Sequence, residues 1–189
     1  MFTPTSIFRM RYLKRQLPCD SHLGWILKVL GVDPGITNTG YGLVVEESGK
    51  LRAAKFGSIG TPASADMSHR LDILYGEIKG LIEESTPDIV VLEQLFFNTN
   101  LKTAFAVGQA RGVILLACKH TDVTWSEYTP LQVKQTVVGN GNASKQQVKY
   151  MVGALLGLSD PPESLHACDA LAIAICHLHM RRLKEKTGS

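Results

Sequence analysis

Between Ile26 and Ile59 three β-prone runs follow one another with only short turns between them, and from Met67 onward helix alternates with strand. The runs are Ile26 to Val32, Thr39 to Glu46 and Leu51 to Ile59, with Ser48-Gly49 as the second turn. Consecutive strands on short turns pair antiparallel, so the chain opens with a meander. Met67, Leu71, Leu74, Ile78, Leu81 and Ile82 then keep helical spacing, and Pro87 separates them from the apolar run Ile89 to Leu92. A run that is apolar throughout reads as a strand covered on both faces. A second helix is expected over Leu101 to Lys119, with Gly108 and Gly112 as points of close packing, followed by a fifth strand over Val123 to Tyr128. The order βββαβαβ places the chain in the α/β class.

Thr129 is an N-cap with Pro130 at the first helical position, and Gly139-Asn140-Gly141-Asn142 breaks that short helix. Ser144 caps the next helix, which runs to about Leu156, and a last helix starts at Ser164 and ends among Arg181, Arg182 and Lys184. Residues 1–24 differ from the rest, because Arg9, Arg11, Lys14 and Arg15 precede the first acid, Asp20. They are expected to be an extension, disordered or the product of a start assigned too far upstream, ahead of a folded domain over 25–182 and a tail over 183–189.

With 189 residues, 44% of them hydrophobic, the chain suffices for one domain with a substantial core. A formal charge of +3 permits electrostatic attraction to nucleic acid without demanding it. No apolar run approaches the roughly 18 residues of a spanning helix, so no membrane partner is expected. Cys19, Cys118, Cys168 and Cys176 have no CxxC spacing, which fits reduced thiols in a cytoplasmic protein. Helical spacing sends Cys176, His177 and His179 in different directions and argues against zinc.

Three acidic landmarks carry the chemistry. Asp33 follows Val-Leu-Gly-Val directly and precedes Pro34-Gly35, and Glu93 follows Ile89 to Leu92 directly. Both are therefore expected at strand ends, beside the crevice where α/β sheets build their sites. His166 and Asp169 are three apart on the last helix and share a face. Taken singly, each has a plain structural reading as a turn, a solvated end or a helical pair. Gathered in one crevice, carboxylates repel and take up protons unless a cation neutralises them, which points to Mg²⁺ or Mn²⁺.

Gly-Val-Asp-Pro-Gly, Thr-Gly-Tyr-Gly, Leu-Glu-Gln with Phe96 just beyond, Gly-Gln-Ala-Arg-Gly-Val, Val-Lys-Gln-Thr-Val-Val-Gly with Gly141 and Lys145 following, and Asp-Ala-Leu-Ala-Ile-Ala stand in this order between Leu27 and His179. Together they resemble the RuvC family of bacterial Holliday-junction resolvases. The resemblance implies a ribonuclease H-like fold, a five-stranded mixed sheet with helices on both faces, in a homodimer. It further implies four-way junction DNA as substrate and symmetric nicking of two strands of like polarity, leaving 5′-phosphate and 3′-hydroxyl ends. RuvA and RuvB, the branch-migration motor, are implied as partners.

On the same resemblance Asp33, Glu93 and Asp169 hold two Mg²⁺ ions per subunit, with Asp33 bridging and Mn²⁺ able to substitute. A pair of ions flanking a phosphate activates water on one side and stabilises the departing oxygen on the other. His166 stands where many relatives carry Asp; its imidazole suits Mn²⁺ better than Mg²⁺ and serves either as ligand or as proton acceptor. In either role protonation near the reference pKa of about 6.5 implies loss of activity below neutral pH. Lys134 and Lys145 align with lysines near the cleaved strand, and Phe96 with an aromatic that stacks on unpaired bases.

Apolar residues on several sides of Leu101 to Lys119, among them Phe105, Ile114 and Leu116, exceed what one sheet covers and point to a homodimer contact. The rival readings are a ribonuclease H-like nuclease acting on structured RNA and a junction-binding protein without catalysis. An actin-like ATPase needs the unit twice, and the chain has room for one.

Overall fold

The structure, a computed structural model, describes residues 26–94 and 101–188. Strands β1 (Ile26–Asp33), β2 (Asn38–Glu47) and β3 (Lys50–Gly60) form the meander, followed by α1 (Met67–Ser85), β4 (Ile89–Glu93), α2 (Leu101–His120) and β5 (Thr124–Tyr128). Three helices close the chain: α3 (Pro130–Val138), α4 (Lys145–Leu156) and α5 (Leu165–Thr187). The five strands make one sheet in the order β3-β2-β1-β4-β5, with β1, β2 and β3 antiparallel and β4 parallel to both β1 and β5. This is the expected five-stranded mixed sheet.

Helices cover both faces. On one side Leu30, Val32, Val90 and Leu92 pack against Leu74 and Ile78 of α1 and Ala110 and Ile114 of α2. On the other, Val29, Val44 and Val91 meet Val133, Val148, Val152, Leu171 and Ile175 of α3, α4 and α5. The alternation of Val29 and Val91 with Leu30 and Val90 explains why β1 and β4 read as continuous apolar runs. The caps fall where the sequence places them: Thr129 and Ser144 each accept from the third helical backbone N–H in a full capping box, and Ser164 accepts from the N–H of Ala167.

One expectation needs correction. Among the described residues nothing packs closely against Gly108 or Gly112, where a β-carbon would stand in open space. Helix α5 runs through Thr187. Arg182 is the reason it persists: its guanidinium holds Glu46 and the backbone oxygen of Gly49, fastening the last turns to the β2–β3 hairpin. Cys118, Cys168 and Cys176 are buried free thiols, each pushed up to about 11 by burial. Among the described residues no helix is long and apolar enough to cross a membrane.

The close packing that matters lies where α5 crosses β1. A β-carbon at Gly31 would sit 2.0 Å from the carbonyl oxygen of Ala170 and 3.0 Å from the nitrogen of Ala174, both backbone atoms. Gly31→Ala is therefore expected to overpack the core at a cost of about 3 kcal/mol, at the upper end for such insertions. Urea unfolding measures it, and a midpoint at the wild-type value would contradict the docking of α5.

Candidate active site

Parallel pairing of β1 with β4 sets Val32 opposite Leu92, so Asp33 and Glu93, one residue further on each strand, emerge side by side at the same edge. Helix α5 begins at that edge. Its His166 Nδ1 stands 2.7 Å from Asp33 Oδ2, the ring donating to the carboxylate, and Asp169 lies one turn later on the same face. Lys145, the first residue of α4, brings Nζ to 3.3 Å from Asp169 Oδ2. Lys134 of α3 acts on Glu93 through space, as does Lys145. Six of the residues singled out in the sequence are thus linked at this end of the sheet by contact or by charge, and Phe96 lies outside the described residues.

Electrostatics show how strongly these carboxylates interact. Burial pushes Glu93 up to about 7, with repulsion from Asp33 and Asp169 adding to the rise and the two lysines opposing it. Burial raises Asp33 as well; the hydrogen bond from His166 works against this, and the charge of Asp169 reinforces it. Among the described residues no three His, Cys, Asp or Glu side chains stand close enough together, as placed, to hold a metal ion. Instead two of the carboxylates lean on the chain's own donors, Asp33 on His166 and Asp169 on Lys145. The chemistry of the donor set nonetheless suits a hard divalent cation: carboxylate oxygens, largely withdrawn from water and repelling one another.

Arg111 of α2 has a place here that the sequence does not disclose. Its guanidinium pairs with Glu127 of β5, lies 5.8 Å from the centroid of the Trp125 ring, and points Nη1 at the Glu93 carbonyl oxygen, 3.4 Å away. It thereby ties α2 to β4 at Glu93 itself and to the neighbouring strand β5. The signal available was Arg111 within Gly-Gln-Ala-Arg-Gly, a motif that suggests no partner by itself.

The sequence family described as crossover junction endodeoxyribonuclease RuvC matches residues 29–177. Among curated proteins of that description, one from Moorella thermoacetica is 53% identical over 164 residues, 85% of this chain and 98% of its own length. Another, from Syntrophomonas wolfei, is 50% identical over 157 residues, 83% of this chain and 91% of its own. The structure of Thermus thermophilus RuvC in complex with a Holliday junction substrate superposes with a TM-score of 0.77 at 32% identity, covering 83% of this chain and 96% of that one.

Proposed function

The chain belongs to the RuvC family of crossover junction endodeoxyribonucleases, and from that premise we propose that it resolves Holliday junctions in DNA recombination and repair. It is a metal-dependent nuclease that hydrolyses phosphodiester bonds and binds junction DNA. In this reading two strands of like polarity are nicked symmetrically, leaving 5′-phosphate and 3′-hydroxyl ends that can be rejoined. The observation that carries it is the convergence of Asp33, Glu93, His166 and Asp169 at one sheet edge, with Lys134 and Lys145 beside them.

Each side chain has a distinct task. Asp33, Glu93 and Asp169 would hold the two Mg²⁺ ions of each subunit, with His166 beside them, and Mn²⁺ would substitute readily because His166 offers an imidazole. When bound, the cations supply the positive charge that activates water and stabilises the departing oxygen. His166 holds or accepts a proton at the nitrogen not engaged with Asp33. Lys145, released from Asp169, is free to meet a phosphate oxygen, and Lys134 adds charge beside Glu93. Phe96 stacks on unpaired bases at the junction centre.

Symmetric nicking requires two active sites on a two-fold axis, hence a homodimer. Helix α2 is the surface that supports it: Phe105 is 71% exposed, Leu116 is 47% exposed, and Gly108 and Gly112 leave room for a close neighbour. Coupling to RuvA and RuvB, and a cytoplasmic location, complete the reading on family membership.

The test is direct. Purified protein with Mg²⁺ is expected to nick a synthetic four-way DNA junction at paired positions, with ends that ligase reseals. Cleavage of duplex RNA in preference to the junction would favour the RNA-processing alternative, and tight binding without nicking a non-catalytic one.

A further inference from the structure

Gly40 lies on β2 directly opposite Asp33 of β1 and beneath the first turn of α5. A β-carbon there would stand 2.0 Å from the carbonyl oxygen of His166, 2.3 Å from its carbonyl carbon and 3.0 Å from its Cα. All three are backbone atoms, so no side-chain rotation relieves the overlap. The turn in question carries His166 and leads into Asp169, and its start is fixed by the Ser164 cap. The β1–β2 ladder holds Gly40 and Asp33 in register, so neither strand can yield independently.

We infer that Gly40 is a positioning residue for the metal site: by offering no side chain, it sets the spacing between the strand-borne carboxylate of Asp33 and the helix-borne His166 and Asp169. The inference rests on those residues holding the cation. Any larger residue must lift the helix by about 1 Å or more, a misplacement that in a preorganised site costs on the order of a hundredfold in rate. Gly60, at the end of β3, is the matched control. A β-carbon there meets nothing nearer than Asn38 Oδ1 at 3.8 Å.

The experiment uses the full-length chain and three measurements: calorimetric titration with MgCl₂ alone, junction binding in EDTA, and the thermal midpoint. Gly40→Ala is expected to bind Mg²⁺ at least about tenfold more weakly, in the range seen when groups supporting metal ligands are disturbed. Its junction affinity in EDTA should stay within about twofold of wild type, and Gly60→Ala should match wild type throughout. Wild-type Mg²⁺ affinity in Gly40→Ala overturns the inference, and so does parallel loss of Mg²⁺ and junction binding, which would mark a general lesion of the fold. If Gly40→Ala does not fold, Gly42→Ala takes its place, because the β-carbon there meets Leu171, just past Asp169, at two side-chain carbons 2.7 Å away and at the backbone nitrogen 2.9 Å away, a less severe overlap than the 2.0 Å at Gly40. It should weaken Mg²⁺ binding in the same direction by a smaller factor, and unchanged affinity would refute the spacing role. Asp33→Asn separates the two levels. If it too binds Mg²⁺ normally, the metal-site reading fails along with the inference; if it loses Mg²⁺ while Gly40→Ala does not, only the role of Gly40 fails.

Discussion

Glu93→Gln is expected to abolish junction nicking while making the metal-free protein more stable than wild type. The first half follows from removing an anionic oxygen from the donor set. Charge stabilisation by a positioned cation contributes several kcal/mol to such reactions, and at 1.36 kcal/mol per tenfold the nicking rate should fall on the order of a thousandfold or more. The second half follows from burial. Glu93 is pushed up to about 7 by desolvation and by the charges of Asp33 and Asp169, so holding it ionised at pH 8 in the folded state costs on the order of 3 kcal/mol relative to the unfolded chain. Glutamine keeps the shape and removes that penalty. Single-turnover nicking of a synthetic junction and urea unfolding in EDTA at pH 8 read the two effects. A variant that nicks at a tenth of the wild-type rate or better would remove Glu93 from the chemistry, and a variant less stable than wild type would show the carboxylate to be supporting the fold.

The same contrast between local and long-range determinants governs what the sequence discloses. Asp33 and Glu93 are legible because each directly follows an apolar run, and parallel strands bring such residues to one edge whatever else the fold does. His166 and Asp169 are legible as a pair because helical spacing alone puts them on one face. The reach of His166 to Asp33 across 133 residues is not, because it depends on how deeply α5 beds onto the sheet, and Gly31 and Gly40 set that depth. In the sequence those two glycines look no different from Gly108 and Gly112, which close on nothing among the described residues. Arg111 is hidden for a similar reason: Glu127 and the Glu93 carbonyl come to it through strand pairing, not through any period within α2. The hold of Glu46 and Gly49 on Arg182 is hidden in the same way, because both partners come from the far hairpin.

Stabilisation by Mg²⁺ should depend steeply on pH, and the sign is set by the raised carboxylates. Below about pH 4.5, the ordinary value for Glu93, folded and unfolded chains both carry the proton and no penalty arises. Between that value and about 7 the unfolded chain ionises while the folded chain keeps its proton, so the metal-free protein loses stability as pH rises, and above 7 the penalty is complete. Asp33, also raised by burial, contributes in the same direction. A divalent cation held by ionised Asp33, Glu93 and Asp169 reverses the trend, because it binds the folded state alone. At tenfold over its dissociation constant the gain is about 1.4 kcal/mol, or roughly 3–6 °C in the thermal midpoint of a chain this size. At pH 8 that shift should appear in full on adding MgCl₂; at pH 5.5, where Glu93 holds its proton, it should nearly vanish. Nicking should decline over the same interval. Thermal melts at the two pH values decide the matter. Equal protection at both would mean that Mg²⁺ binds without displacing a proton, and the buried carboxylates would not be its ligands.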